Sequence, residues 1–380
     1  MTSKERELGN LLEMIADELN ITPTMMEKAV NSYQAVGEWI GDGLNYDVAI
    51  KPQGSMNLGT VIRPIDDSDD YDMDLVCLLK NGYKLSAEEL KKIVGERLKE
   101  NATYRKMLEK EGKRCWTMQY NEFHMDILPC TSKDKIYSPE VSTAIRLTHK
   151  LGTGRYVDKY SDPEAYHDWF VNRMTGRTMV NKDSIYAERD TEIDKVPTYK
   201  KRTTLQKAIQ LLKRHRDITF AGCTDNAPIS IIITTLAAWA YNGESNVFDA
   251  LRNILSKMSE YIEQQNDMYC ILNPVMGEEN FADKWNENHK KADAFFSWLE
   301  AAKSDLLEKP LSFVGIDAIG TELMSRLGEA PVKRALNKYG EATKNSRNNG
   351  TLYINGTMGG LSTIATTSAI KVKEHTFFGS

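Results

Sequence analysis

Two aspartates, Asp72 and Asp74, stand two residues apart at the head of the run Leu75-Val76-Cys77-Leu78-Leu79. A strand's period of two sends both carboxylates to one face. Like charges held on one face repel, so the pair is costly unless a cation neutralises it, and hard divalent ions such as Mg²⁺ take oxygen ligands of this kind. Spacing alone says little, because 54 of the 380 residues are acidic and Asp67/Asp69, Glu109/Glu111 and Asp190/Glu192 repeat it in polar surroundings. The apolar run behind Asp72 and Asp74 is the difference, since it draws the pair towards a core where charge needs compensation. A strand-edge charge pair is the plainer alternative.

Upstream, Tyr46 to Lys51 reads as a short strand that Pro52-Gln53-Gly54-Ser55 ends. Glycine lets backbone approach a ligand closely, and if Met56 to Val61 opens a helix, its first N–H groups and the Ser55 hydroxyl can face an anion such as a nucleotide's phosphates. An ordinary strand-to-helix turn fits the same dipeptide, and no Walker-type Gly-x-x-x-x-Gly-Lys surrounds it. A two-metal site needs a further carboxylate. Asp126, in the apolar run Phe123-His124-Met125-Asp126-Ile127-Leu128-Pro129, is the candidate, although alone it also fits a strand-end charge.

Strand, Gly-Ser turn, helix, Asp-x-Asp strand and a lone Asp on a later strand together resemble the polymerase-β-like nucleotidyltransferase superfamily. Within it the chain resembles the bacterial CD-NTases, relatives of cyclic GMP-AMP synthase and oligoadenylate synthetase that make cyclic oligonucleotide signals in anti-phage defence. The resemblance covers most of residues 1–340, supported by Ser161 to Tyr166 with Trp169-Phe170, and by Leu211-Leu212-Lys213 followed by Ser230. It implies an α+β fold, a polymerase-β-like core with a helical oligoadenylate-synthetase-like C-terminal domain. It also implies two Mg²⁺ ions on Asp72, Asp74 and Asp126, with Asp126 helping to deprotonate the acceptor ribose hydroxyl. Gln53, Gly54, Ser55, Lys213 and Ser230 would grip the donor nucleoside triphosphate, with ATP expected among the substrates. A linear oligoadenylate or RNA-end nucleotidyltransferase, or a non-enzymatic nucleotide-binding protein, remains as an alternative.

The elements that must position these residues follow from periodicity. Residues 4–20 and 23–41 read as amphipathic helices bracing the catalytic sheet, and Ser86-Ala87-Glu88-Glu89 opens another helix with a capping box. Arg114 to Tyr120 and Glu122 to Leu128 read as strands, whereas residues 132–198 read as irregular and polar, anchored by Pro163, Tyr166, Trp169 and Phe170. From Thr203 the period turns helical, with Leu205, Ile209 and Leu212 on an apolar stripe. Apart from Lys213, the basic residues of that helix, Lys207, Arg214 and Arg216, read as a solvated face. The expected organisation is a nucleotidyltransferase domain over 1–198, an all-α domain over 199–340 and a flexible tail over 341–380. The acidic loop Asp66 to Asp70 reads as a solvated turn.

Composition bounds the rest. With 41% hydrophobic and 27% charged residues the chain is ordinary globular material. A charged N-terminus and the absence of a long apolar tract point to the cytoplasm, with no membrane role. Five scattered cysteines and six histidines without ligand spacing indicate no zinc site. Net charge −5 and pI near 5.8 argue against activation by duplex DNA. The terminus His375-Thr376-Phe377-Phe378-Gly379-Ser380 resembles CD-NTase ends that a ubiquitin-transfer-like enzyme joins to a target, with Ser380 as a departure because a glycine is the residue joined.

Overall fold

A computed structural model describes residues 2–65, 70–134, 142–175, 193–199, 201–355, 361–362 and 369–373. After α1 (Ser3–Glu18) and α2 (Pro23–Gly43), the chain runs through β1 (Val48–Gln53), the short α3 (Gly54–Leu58) and β2 (Tyr71–Leu79). There follow α4 (Ala87–Glu100), α5 (Ala102–Met107), β3 (Trp116–Gln119), β4 (Phe123–Ser132), β5 (Ile145–Lys150), β6 (Tyr156–Ser161) and α6 (Pro163–Thr175). The expected capping box opens α4: Ser86 Oγ accepts from the Glu89 N–H while the Glu89 carboxylate accepts from the Ser86 N–H.

Among the described residues six strands make one sheet in the order β1-β2-β4-β5-β6, with β3 beside the first half of β4. Strands β2 and β4 are parallel and the other pairs antiparallel. Alternation divides the two faces. Met73, Leu75 and Cys77 of β2, with Met125 and Ile127 of β4, are fully buried in a core shared with α2 and α4. The opposite face holds Val76, Leu78, Leu128 and Cys130 at one end, and the strand period places the aspartates at the other.

Strands β5 and β6 lie in a stretch whose polar composition concealed them. Arg146 on β5 is buried because its guanidinium meets Asp158 at 2.7 Å and the carbonyls of Tyr83 and Leu85. Of the four expected anchors, Tyr166 and Phe170 are buried on α6, while Pro163 and Trp169 are half-buried. The acidic loop Asp66 to Asp69 lies outside the described residues.

The second layer contains α7 (Thr204–Thr219), α8 (Ser230–Ala240), α9 (Val247–Lys257), α10 (Asp283–Glu287), α11 (Lys290–Lys303), α12 (Lys309–Ser312), α13 (Ile316–Leu327) and α14 (Glu329–Asn348). It is not all-α. Two small hairpins, β7 (Glu263–Gln265) with β8 (Met268–Cys270) and β9 (Leu272–Asn273) with β10 (Met276–Asn280), separate α9 from α10. Helix α2 braces the sheet as expected, but α1 does not. Leu8, Leu11, Leu12 and Ile15 of α1 are buried in the helical core, and Lys207 ties α1 to α7 through Glu13 at 3.0 Å and Asp17 at 2.9 Å.

The stretch expected to be a flexible tail is in part ordered. Helix α14 continues past residue 340, docked through Tyr339 to Glu7 and Arg334 to Glu18. Three short strands, β11 (Tyr353–Asn355), β12 (Leu361–Ser362) and β13 (Ala369–Lys371), then pair in the order β12-β11-β13. The terminus His375 to Ser380 lies outside the described residues.

Helix α7 joins the layers, and its basic side chains are not solvated. Lys207, Lys213 and Arg214 are 3, 5 and 2% exposed. Positions 206, 210, 213 and 214 share one helical face, and that face takes hold of the segment between α3 and β2. Gln206 Nε2 donates to the Leu58 carbonyl at 2.9 Å, Gln210 Nε2 to Val61 at 2.8 Å and Lys213 Nζ to Thr60 at 3.0 Å. Arg214 donates to the carbonyls of Arg63 and Pro64, and the Tyr199 hydroxyl, ahead of the helix, to Asn57 at 2.7 Å. Gly59 permits this approach, since a Cβ there would stand 2.4 Å from Gln206 Nε2 and φ is +65°. Replacing Gln206 by Leu leaves the Leu58 carbonyl unpaired in a buried interface, and urea denaturation is expected to show a loss of about 1–3 kcal/mol. Unchanged stability would contradict a holding role for the ladder.

Candidate active site

Strand β1 ends at Gln53, and the chain turns through Gly54 at φ +64° into the five residues of α3. The helix expected from Met56 to Val61 thus starts earlier and stops at Gly59, which is also left-handed. Gly54 is required for two reasons. Its φ favours glycine, and a Cβ added to it would lie 1.9 Å from Asp74 Oδ2. The turn and the carboxylate strand therefore touch, with no room for a side chain between them.

Register brings the acids together. Gln53 pairs with Asp74 across β1 and β2, and Asp74 pairs with Asp126 across the parallel β2 and β4. Thr117 of β3 stands opposite Asp126 and donates its hydroxyl to Asp126 Oδ1 at 2.5 Å. That bond leaves the other carboxylate oxygen free of Thr117. Asp72 is exposed, whereas Asp74 and Asp126 are half-buried.

The electrostatics reflect the crowding. Burial, then the charges of Asp72 and Asp126, raise the Asp74 carboxyl from its ordinary 3.8 to about 7, with Lys213 acting in the opposite sense. Asp72 is also raised, by its protein surroundings and by Asp126, although its side chain reaches solvent; His124, Lys213 and Arg216 counter the rise. Burial, followed by Arg216, lowers the Lys213 ammonium to about 8, while Asp217, Asp72 and Asp74 support its charge.

These side chains suit a divalent cation. They are hard oxygen donors on one face whose mutual repulsion an ion would relieve. Among the described residues, no three acidic, histidine or cysteine side chains form an ion cage by themselves. The face is open, as suits Mg²⁺, which keeps waters and takes substrate phosphates alongside one or two carboxylates.

Lys213 and Ser230 arrive from the helical layer, at the buried face of α7 and at the first residue of α8. Lys213 feels the charges of Asp72 and Asp74, so it belongs to the same neighbourhood. Two residues were missed by reading the sequence. His124 lies opposite Asp72 in the β2–β4 register, with Nε2 2.9 Å from Asp70 Oδ2, which Gln119 also engages at 2.6 Å. Arg216, assigned to a solvated face, contacts Ser230 and influences Asp72. Its only signal was its place three residues after Lys213.

Residues 48–129, from β1 into β4, match the family described as cyclic GMP-AMP synthase DncV-like, nucleotidyltransferase domain. A c-di-GMP synthase of Roseivirga ehrenbergii is 28% identical, covering 100% of this chain and 99% of that protein. Cyclic dinucleotide synthase CdnG of Bradyrhizobium diazoefficiens is 25% identical, covering 88% of this chain and 83% of that protein. Among solved structures, the B. diazoefficiens CD-NTase CdnG in complex with GTP has a TM-score of 0.66 at 21% identity, covering 88% of this chain and 99% of that one. Vibrio cholerae DncV with nonhydrolyzable GTP has a TM-score of 0.53 at 14% identity, covering 86 and 87%. Both share this fold. No helix among the described residues is long and apolar enough to cross a membrane.

Two outcomes are expected. Asp74 holds its proton in the folded state at pH values where the unfolded chain has lost it, so its contribution to stability falls as pH rises from about 4 to 7. In metal-free buffer, Asp74→Asn should therefore melt above the unaltered protein at pH 8, with the gap closing towards pH 4; a variant that melts lower at pH 8 contradicts this. Gly54→Ala should displace either the turn or Asp74 and lower nucleotidyl transfer by about a hundredfold, as misplacement of roughly 1 Å does. Near-normal turnover would separate the turn from the chemistry.

Proposed function

We propose that this chain is a bacterial CD-NTase, a nucleotidyltransferase that joins nucleoside triphosphates, GTP foremost, into a cyclic dinucleotide. The observation that carries this reading is the contact of the Gly54-Ser55 turn with Asp74, on a sheet face where register places Asp74 opposite Asp126. GTP replaces the ATP expected from the sequence because the relative matched along the whole chain is described as a c-di-GMP synthase.

In this mechanism Ser55 and the backbone N–H groups beyond Gly54 hold the donor phosphates, joined by Lys213 from α7 and Ser230 from α8. A helix lysine suits phosphate as a point charge. Asp126, oriented by Thr117, takes the proton of the acceptor ribose hydroxyl. That oxygen attacks the α-phosphorus in line, the bond to the β-phosphate oxygen breaks and pyrophosphate leaves; two such transfers close a ring of two nucleotides. Asp72, Asp74 and Asp126 would hold two Mg²⁺ ions, which when bound neutralise charge on the attacking and leaving oxygens. Positioning and charge neutralisation supply most of the rate.

We further propose that the product is a second messenger in anti-phage defence and that the end of the chain is joined to a target by a ubiquitin-transfer-like enzyme. Both rest on family resemblance. The chemistry is tested by incubating the protein with each labelled nucleoside triphosphate and Mg²⁺, treating with phosphatase and weighing the product. Label from GTP is expected in a phosphatase-resistant species, with one pyrophosphate released per nucleotide. Asp72→Asn/Asp74→Asn or a chelator should abolish it. A phosphatase-sensitive ladder would instead indicate a linear product, and label transfer to an added RNA end would indicate end addition.

A further inference from the structure

Arg216 lies one helical turn beyond Lys213, and its side chain is 14% exposed. Its guanidinium reaches three acceptors. Nε donates to the neighbouring Asp217 carboxylate at 2.5 Å, Nη1 to the Pro228 carbonyl at 2.7 Å and Nη2 to the Ser230 hydroxyl at 3.4 Å. The last contact is long, but its sense matters. Ser230 Oγ accepts from Arg216, so its own proton remains available to another acceptor.

The start of α8 is open in the same way. Ile229 occupies the N-cap without a side-chain hydrogen bond, and its carbonyl accepts from the Ile232 N–H, so of this eleven-residue helix the Ser230 and Ile231 N–H groups have no capping acceptor from it. Pro228, with no N–H of its own, can be tied to α7 only through its carbonyl. Arg216 makes that tie. Arg216 thus links the turn of α7 that follows Lys213 to the start of α8.

We propose that Arg216 is a positioning residue for the donor triphosphate, holding Pro228 to Ser230 against α7 so that the Ser230 hydroxyl and the open α8 terminus face the phosphates. This rests on Ser230 binding those phosphates, as in the function proposed above. A lysine cannot substitute, because a planar fork reaches several acceptors where an ammonium is a point charge on a flexible stem.

The test is a double-mutant cycle on the full chain, with steady-state kinetics in GTP and melting temperature as a folding control. Ser230→Ala is expected to raise KM about tenfold with little change in kcat, the loss typical of one hydrogen bond to a charged group. Arg216→Gln should act in the same direction, and the double variant should stay within about twofold of Ser230→Ala, because coupled residues are not additive. Arg216→Lys runs through the same cycle, should share the raised KM, and decides the matter if Arg216→Gln does not fold. Additive effects would overturn the proposal, since Arg216 would then act on substrate independently of Ser230. Normal KM in Arg216→Gln or in Arg216→Lys would overturn it as well. Normal KM in Ser230→Ala would overturn both the proposal and Ser230's assignment, while synthesis by the unaltered protein would leave the enzyme reading standing.

Discussion

The buried face of α7 is the constraint on which the site depends. The end of α3 and residues 59–64 lead towards β2 without pairing into the sheet, and buried backbone there must find donors for its carbonyls. Gln206, Gln210, Lys213 and Arg214 supply them from one stripe of a single helix. The sheet therefore fixes the carboxylates, while the helical layer fixes the segment that follows the Gly54-Ser55 turn. Neither layer alone contains all the residues of the candidate site.

A second constraint is electrostatic. Collecting Asp72, Asp74 and Asp126 on one face raises Asp74 to about 7, so the metal-free site holds like charges at a cost that a cation would relieve. The sheet sustains this because the alternate residues of β2 and β4 are fully buried on the opposite face. Perturbed carboxylates on a rigid scaffold are common at functional sites, and the absence of a side chain at Gly54 brings the turn directly against Asp74.

Much of this was legible in the sequence because it is local. The Asp-x-Asp spacing and the lone Asp126 each sit in an apolar run whose period reveals a face, the Gly-Ser turn follows from the residues that end β1, and the Ser86–Glu89 capping box follows from two residues. What was illegible depends on partners far along the chain. An apolar stripe on α1 does not say whether it meets the sheet or α9 and α14. Lys207 and Arg214 read as surface residues because nothing nearby shows the carboxylates of Glu13 and Asp17 or the carbonyls of Arg63 and Pro64 that make their burial affordable. Arg146 concealed β5 for the same reason, its acceptors lying at Asp158, Tyr83 and Leu85.

The most direct test of the account is a crystal structure of the protein with a nonhydrolysable GTP analogue and Mg²⁺. The triphosphate should lie between Ser55, Lys213 and Ser230, with the cations on Asp72, Asp74 and Asp126 and the α7 ladder to residues 57–64 intact. A triphosphate bound away from the Gly54-Ser55 turn, or cations that leave the three aspartates without contact, would contradict it.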